Sequence, residues 1–176
     1  ADKIGIKKPS LYKHFSSKKE IVETMYQFLR EQSKKNANIK PVNFSQLFQG
    51  KTAYEVLQGV VKGYANMNHQ EKMLMFYKVI YSERSIQPMA ARIVAEETER
   101  MIIATKQLFY AMVIHKLLHF ENADMSALSF AMTIHGLMDY ELDQKYGYGK
   151  EEHTENNLIS DYLSWFCKEN SVGDGD

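Results

Sequence analysis

The sequence predicts an all-α protein, and three observations lead there. Only three prolines (Pro9, Pro41, Pro88) occur in 176 residues. Apolar residues recur at three- and four-residue spacing over long stretches, with little of the period-2 alternation that strands require. Two S/T-x-x-E sequences, Ser17 to Glu20 and Thr52 to Glu55, have the spacing of a capping box, in which each partner satisfies a backbone N–H left open at a helix start.

Each element has its own reason. Gly5 supplies a turn residue that tolerates positive φ, and Pro9 suits the first turn of a short helix, where its missing N–H is no loss. Leu11 and Phe15 then point inward together, at i and i+4. From Lys18 to about Lys35, Ile21, Met25, Phe28 and Leu29 form one apolar stripe. Asn36 to Val42, with Pro41, reads as a loop. Phe44, Leu47 and Phe48 fit a short turn ended by Gly50. After Thr52 a helix carries Val56, Leu57, Val60, Val61, Tyr64 and Met67 to about His69, and Glu71 to Arg84 forms another. Pro88 opens a stretch running to His119. Asn122 to Asp124 is a turn, followed by helices over about Met125 to Lys145 and Glu155 to Lys168, with a loop from Tyr146 between them. The tail from Ser171 to Asp176 reads as disordered. The body so counted has six or so helices.

Formal net charge is zero, yet the charge is unevenly spread. Residues 1–40 hold ten Lys/Arg against four acids, a net of +6, so the rest carries −6. A basic end on an acidic body suits contact with nucleic acid through that end alone. Cys167, beside Trp165 and Phe166, is the lone cysteine; it excludes an intrachain disulfide, fits a reducing compartment and reads as a packed thiol. No apolar run reaches the ~18 residues of a membrane span and no signal peptide is evident, so a cytoplasmic location is expected.

With Leu11 and Phe15 inward, Lys7, Lys8, Ser10, Tyr12, Lys13 and His14 face outward, as a surface for phosphates and base edges requires. The stretch from Gly5 to Ile21, through Gly5, Ile6, Ser10, Leu11, Tyr12, His14, Phe15, Ser17, Lys18 and Ile21, resembles the G-[IV]-x-x-x-[ST]-L-Y-x-[HY]-F-x-[SN]-K-x-x-[IL] signature of the TetR family of bacterial transcriptional regulators. The resemblance implies a helix-turn-helix head, here incomplete because family members begin some thirty residues earlier, and a helical ligand-binding and dimerisation body. The boundaries expected are 1–36 for the remainder of the head with the start of a linking helix, 37–170 for the body and 171–176 for the tail. Lys7, Lys8 and Ser10, early in the second helix, are candidates to meet bases, since lysine donates to guanine O6 and N7. Tyr12, His14 and Lys18 are phosphate contacts, in the residues' own chemistry and in what the resemblance implies. Lys7 departs from the family, in which a capping Ser or Thr is common there.

The resemblance further implies a small effector held among the central helices. Ten methionines and many aromatics allow an adaptable, mostly apolar cavity. Its candidate residues are Tyr77, Tyr81, Met101, Thr105, Phe109 and His135, and its expected ligand is aromatic or lipid-like. Gly136 in mid-helix calls for close approach of another helix. With Tyr140, Tyr162, Trp165 and Phe166 it marks a candidate two-fold interface built of two helices from each subunit, in which Trp165 and Phe166 point different ways. His115 and His119 have i, i+4 ligand spacing, but two histidines at a helix end suffice as an explanation, and no metal or cofactor is expected. No phosphate-binding glycine loop, G-x-S-x-G or C-x-x-C occurs, so an enzyme is not expected. The expected function is a DNA-binding regulator, of which repression is the commoner habit, released from double-stranded operator DNA by the effector. The alternative is a helical ligand-binding or adaptor protein without DNA binding.

Overall fold

A computed structural model describes residues 12–36, 42–68, 71–148 and 157–172. The described residues form helices and no strand: α1 (Lys18–Asn36), α2 (Phe44–Phe48), α3 (Ala53–Asn68), α4 (Glu71–Glu83), α5 (Pro88–Ile114), α6 (Ala123–Tyr148) and α7 (Leu158–Glu169). The all-α expectation is met. None of these helices is long and apolar enough to cross a membrane. The chain divides into two compact units, 1–41 with 69–93, and 42–68 with 94–176.

In the first unit α1 packs on α4. Among the described side chains of α1, Val22, Tyr26 and Leu29 are buried, at i, i+4 and i+7, and they share the interior with Met73, Phe76 and Ile80 of α4. Tyr26 stacks on Phe76 at 5.9 Å. Of the expected stripe Ile21, Met25, Phe28 and Leu29, Leu29 is buried and Ile21 half-buried, whereas Met25 and Phe28 are exposed, Phe28 by 55%; the buried line runs instead through Val22, Tyr26 and Leu29. Both lines have helical spacing, and the partner ring on α4 selects between them. Arg92 in the first turns of α5 closes on Glu23 of α1 at 2.8 Å.

The second unit holds the larger core. Phe109, wholly buried, stacks on Phe120 at 4.7 Å and meets Phe130 and Phe166 at 5.2 and 5.6 Å. Val56, Leu57 and Val61 of α3, Met112 of α5, Ile134 of α6 and Leu163 of α7 belong to the same core. α3 packs against α7, where the Tyr54 and Ser160 hydroxyls share a 2.8 Å hydrogen bond.

The helix ends follow local chemistry. The Thr52 box forms as expected: the Glu55 N–H donates to Thr52 Oγ1 at 3.2 Å, and the Thr52 N–H donates to Glu55 Oε2 at 2.8 Å. Asn43, Asn122 and Asn157 each accept the N–H three residues on, and so cap α2, α6 and α7. Gly50 has φ +67°, as the end of the short helix expects. Three boundaries differ from expectation. α5 stops at Ile114 and not near His119, because Lys116 takes φ +54° while Lys116 and Leu117 donate to the Val113 and Met112 carbonyls at 3.0 and 2.9 Å. That is a Schellman end with lysine in the position glycine favours. α6 continues through Tyr146-Gly147-Tyr148, where a loop was expected. α7 begins after Asn157, later than Glu155. Ser171 and Val172 are described without helix or strand, and the rest of the tail lies outside the described residues.

Candidate functional site

The described part of the basic end begins with a turn. Tyr12, Lys13 and His14 are exposed, Phe15 is half-buried, and α1 opens three residues later. The Ser17 box forms only by half. Ser17 Oγ accepts the Glu20 N–H at 3.1 Å, but the Glu20 carboxylate passes Ser17 and accepts the N–H and the hydroxyl of Ser16, both at 2.6 Å. The Ser16 hydroxyl, and then its N–H, hold the Glu20 carboxyl below the usual carboxylate range. The helix start is thereby fixed, with Tyr12, Lys13 and His14 on one side of it and Lys18 and Lys19 on the other. Lys7, Lys8 and Ser10, the candidates for base contact, lie outside the described residues.

Lys18 leads to a cleft that sequence reading did not anticipate. It has a volume of about 440 Å³ and lies within the first unit, between the start of α1, the end of α4 and the first turn of α5. Ile80 and Ala90 form its buried floor together with Val22, and Val79, Pro88 and Met89 extend the apolar lining. Its polar residues are Lys18, Lys19, Glu83 and Gln87. Lys18 Nζ stands 3.6 Å from the Glu83 carboxylate, with 70% of the lysine side chain exposed. The first turn of α5 contains no acid of its own beside the positive end of that helix. No local sequence signal marks this place, since it arises only when residues 18–22 meet residues 79–90.

The residues expected to line an effector cavity are not gathered there. Tyr77 and Tyr81 of α4 fall in the first unit, Met101, Thr105, Phe109 and His135 in the second. Tyr81 packs edge-on against Tyr77 at 6.3 Å and lies under the Arg84 guanidinium at 4.7 Å. Met101 is half-buried, and its carbonyl accepts the Thr105 hydroxyl at 2.8 Å within the same helix. Phe109 is core. His135 Nδ1 lies 3.7 Å from the Asp139 carboxylate, one helical turn on.

The residues expected at a subunit interface separate into two groups. Phe166 is buried within its own unit, whereas Trp165 is 55% exposed. Tyr162 bridges them, with its ring 5.8 Å from each. Burial pushes the Tyr162 phenol above its ordinary value, against the opposing effect of a hydrogen bond with Thr133. A Cβ added at Gly136 would meet nothing within 4 Å, so the close helix that this glycine suggested does not come from the described chain itself. Gly136 lies on an exposed line of α6 with Met132 and Tyr140.

His115 and His119 do not share a helix face, because the reversal at Lys116 comes between them. His115 packs edge-on against Phe48 at 5.2 Å, and the His119 N–H donates to the Asn170 carbonyl at 2.9 Å. Among the described residues no group of three His, Cys, Asp or Glu is assembled that could hold a metal ion. Cys167 is half-buried, and burial pushes its thiol up to about 11, as a packed and unreactive thiol requires. No protein-family model, curated protein or solved structure significantly matches the chain.

Proposed function

We propose that this protein is a DNA-binding transcriptional regulator of TetR type, a homodimer that acts as a repressor and leaves its operator when a small, mostly apolar effector binds. The observation that carries the reading is the exposed Tyr12–Lys13–His14 turn feeding into the Ser16/Ser17-capped start of α1, with Lys18 at its beginning. A phenol, an imidazole and two ammonium groups beside a capped helix N-terminus suit a phosphate backbone. Of these, Tyr12, His14 and Lys18 fall on positions of the family signature quoted above. In this reading Lys7, Lys8 and Ser10 read bases, while Met132, Gly136, Tyr140 and Trp165 belong to the subunit interface. Dimerisation gives two heads about one turn of DNA apart. α1, leading from the head, is the lever through which an effector favours one spacing over another. The chain acts by binding and not by catalysis.

Fluorescence anisotropy of the complete polypeptide on DNA from upstream of its own gene, across a salt series, tests this. Tight, steeply salt-dependent binding is expected. Tyr12→Ala weakens it, and Lys18→Gln lowers the salt slope by about one per protomer. A folded protein that binds neither this DNA nor generic DNA at low salt refutes the proposal, and points to the ligand-binding or adaptor alternative.

A further inference from the structure

The cleft beside Lys18 is open, of small-molecule size, with apolar residues beneath charged ones. Its volume of about 440 Å³ lies inside the ~300–1,000 Å³ range of ligand pockets. Its floor is hydrocarbon from three helices, and polar groups converge only at its rim. Two ammonium groups face one carboxylate there, so the ionised rim carries a net charge of +1. The N-terminal turn of α5 forms a wall and adds the positive end of a 27-residue helix. An ammonium ligand is disfavoured by this balance. A bare phosphate would leave Val22, Val79 and Met89 against water. A neutral hydrocarbon would leave the lysines unused.

We propose that the cleft binds an apolar carboxylate, with its head group on Lys18 and Lys19 and its hydrocarbon body over Val22, Val79 and Met89. The existing Lys18–Glu83 pair does not stand in the way. At 3.6 Å, with the lysine largely in solvent, such a pair contributes only ~0–1 kcal/mol, and Lys18 turns readily to a second anion. The site itself is independent of DNA. Its consequence rests on the regulator reading: Lys18 serves there as a phosphate contact, so a carboxylate that holds it competes with DNA directly at the root of the head.

Sodium octanoate, titrated into the full chain, is the probe, with 1-octanol as its uncharged counterpart. Methyl NMR of Val22, Val79, Ile80 and Met89 reads occupancy of the cleft. Saturable shifts at these methyls with octanoate, and weaker binding of octanol, are expected. Lys18→Gln with Lys19→Gln lowers octanoate affinity about fivefold, by loss of two exposed charge contacts, and leaves octanol affinity unchanged. Val79→Glu, at a partly exposed wall position, lowers octanoate affinity without touching the floor. The proposal is overturned if the cleft methyls do not move, if the exposed Ile103 and Ile114 move as much, or if the lysine variant binds octanoate like the parent. The anisotropy assay keeps the two readings apart. A chain that binds octanoate in the cleft but no DNA refutes the regulator and leaves the site standing. A chain that binds DNA without octanoate in the cleft refutes the site alone.

Discussion

Phe109→Ala separates a core from a cavity. The sequence made Phe109 a candidate for an effector pocket; in the structure it has no solvent exposure and three phenyl rings within 5.6 Å. Burial of a phenylalanine side chain is worth about 1.5–3 kcal/mol by area alone. The void left by truncation adds to this, and Phe→Ala in cores costs about 3–5 kcal/mol in all. The upper half of that range applies here. Phe120, Phe130 and Phe166 are carried by three separate segments and pack against one another, with Phe130 and Phe166 at 4.9 Å, so the site cannot collapse cheaply. A loss of about 4 kcal/mol is a large share of the roughly 5–15 kcal/mol of a whole domain. Urea unfolding followed by Trp165 fluorescence measures it, since the Trp165 ring adjoins Tyr162, which adjoins Phe166. Ile103→Ala, on the same helix but 48% exposed, is the control and costs about 0.5 kcal/mol. A Phe109→Ala cost below about 1.5 kcal/mol would refute the rigid-core argument and return Phe109 to a cavity wall.

Three further outcomes follow from the helix ends and the thiol. Lys116→Gly relieves a lysine at φ +54° and stabilises the protein by about 0.5–1 kcal/mol, read by the same unfolding curve; destabilisation would mean that the lysine side chain contributes more than its backbone strain. The Glu55 carboxyl is held below its usual 4.5, first by the Thr52 N–H and then by its hydroxyl. Its contribution to stability is therefore full above pH 4.5 and fades as pH falls through the lower, folded value. Melting temperature should fall more steeply below pH 4.5 in the parent than in Glu55→Gln, and identical slopes would contradict the box. Cys167, with its thiol near 11, is about one part in 10⁴ thiolate at pH 7, so it should react slowly with a disulfide reagent when folded and at once in urea; fast reaction of the folded chain would refute its burial.

The legible parts of the fold were those written within one turn of chain. The Thr52 box spans three residues and formed as read, with Glu55 as its partner. The end of α2 followed from Gly50. The end of α5 did not follow, because the residue in the left-handed position is Lys116, a residue type that does not mark a helix end, and the Lys116 and Leu117 N–H groups close on the Val113 and Met112 carbonyls. Ser17 shows the same limit. The spacing to Glu20 predicted a reciprocal box, yet Ser16 presents its N–H and its hydroxyl to the same carboxylate, and the glutamate takes these in place of the Ser17 N–H. On α1 the expected stripe shares only Leu29 with the buried line of Val22, Tyr26 and Leu29, and periodicity cannot choose between neighbouring lines; Phe76, fifty residues beyond Tyr26, decides.

The same reasoning explains why the candidate site was read only in part. A nucleic-acid surface can be written along a short segment, since Lys13, His14 and Lys18 need only be near one another in sequence to face one phosphate backbone. A ligand cleft cannot. Its apolar floor joins Val22 to Ile80 and Ala90, and its rim joins Lys18 to Glu83, a carboxylate 65 positions away. Counting methionines and aromatics pointed instead to Tyr77, Phe109 and Thr105, whose polar atoms or rings are engaged in packing or hydrogen bonds of their own. What marks the cleft is the combination of an exposed amine pair, an acid-free helix start and hydrocarbon beneath them. Lys18 is a candidate for both surfaces, one legible in the sequence and one not. If both are sites, the energy that a carboxylate gains from Lys18 is energy the phosphate backbone loses, and ligand affinity and DNA affinity must then fall together in Lys18→Gln.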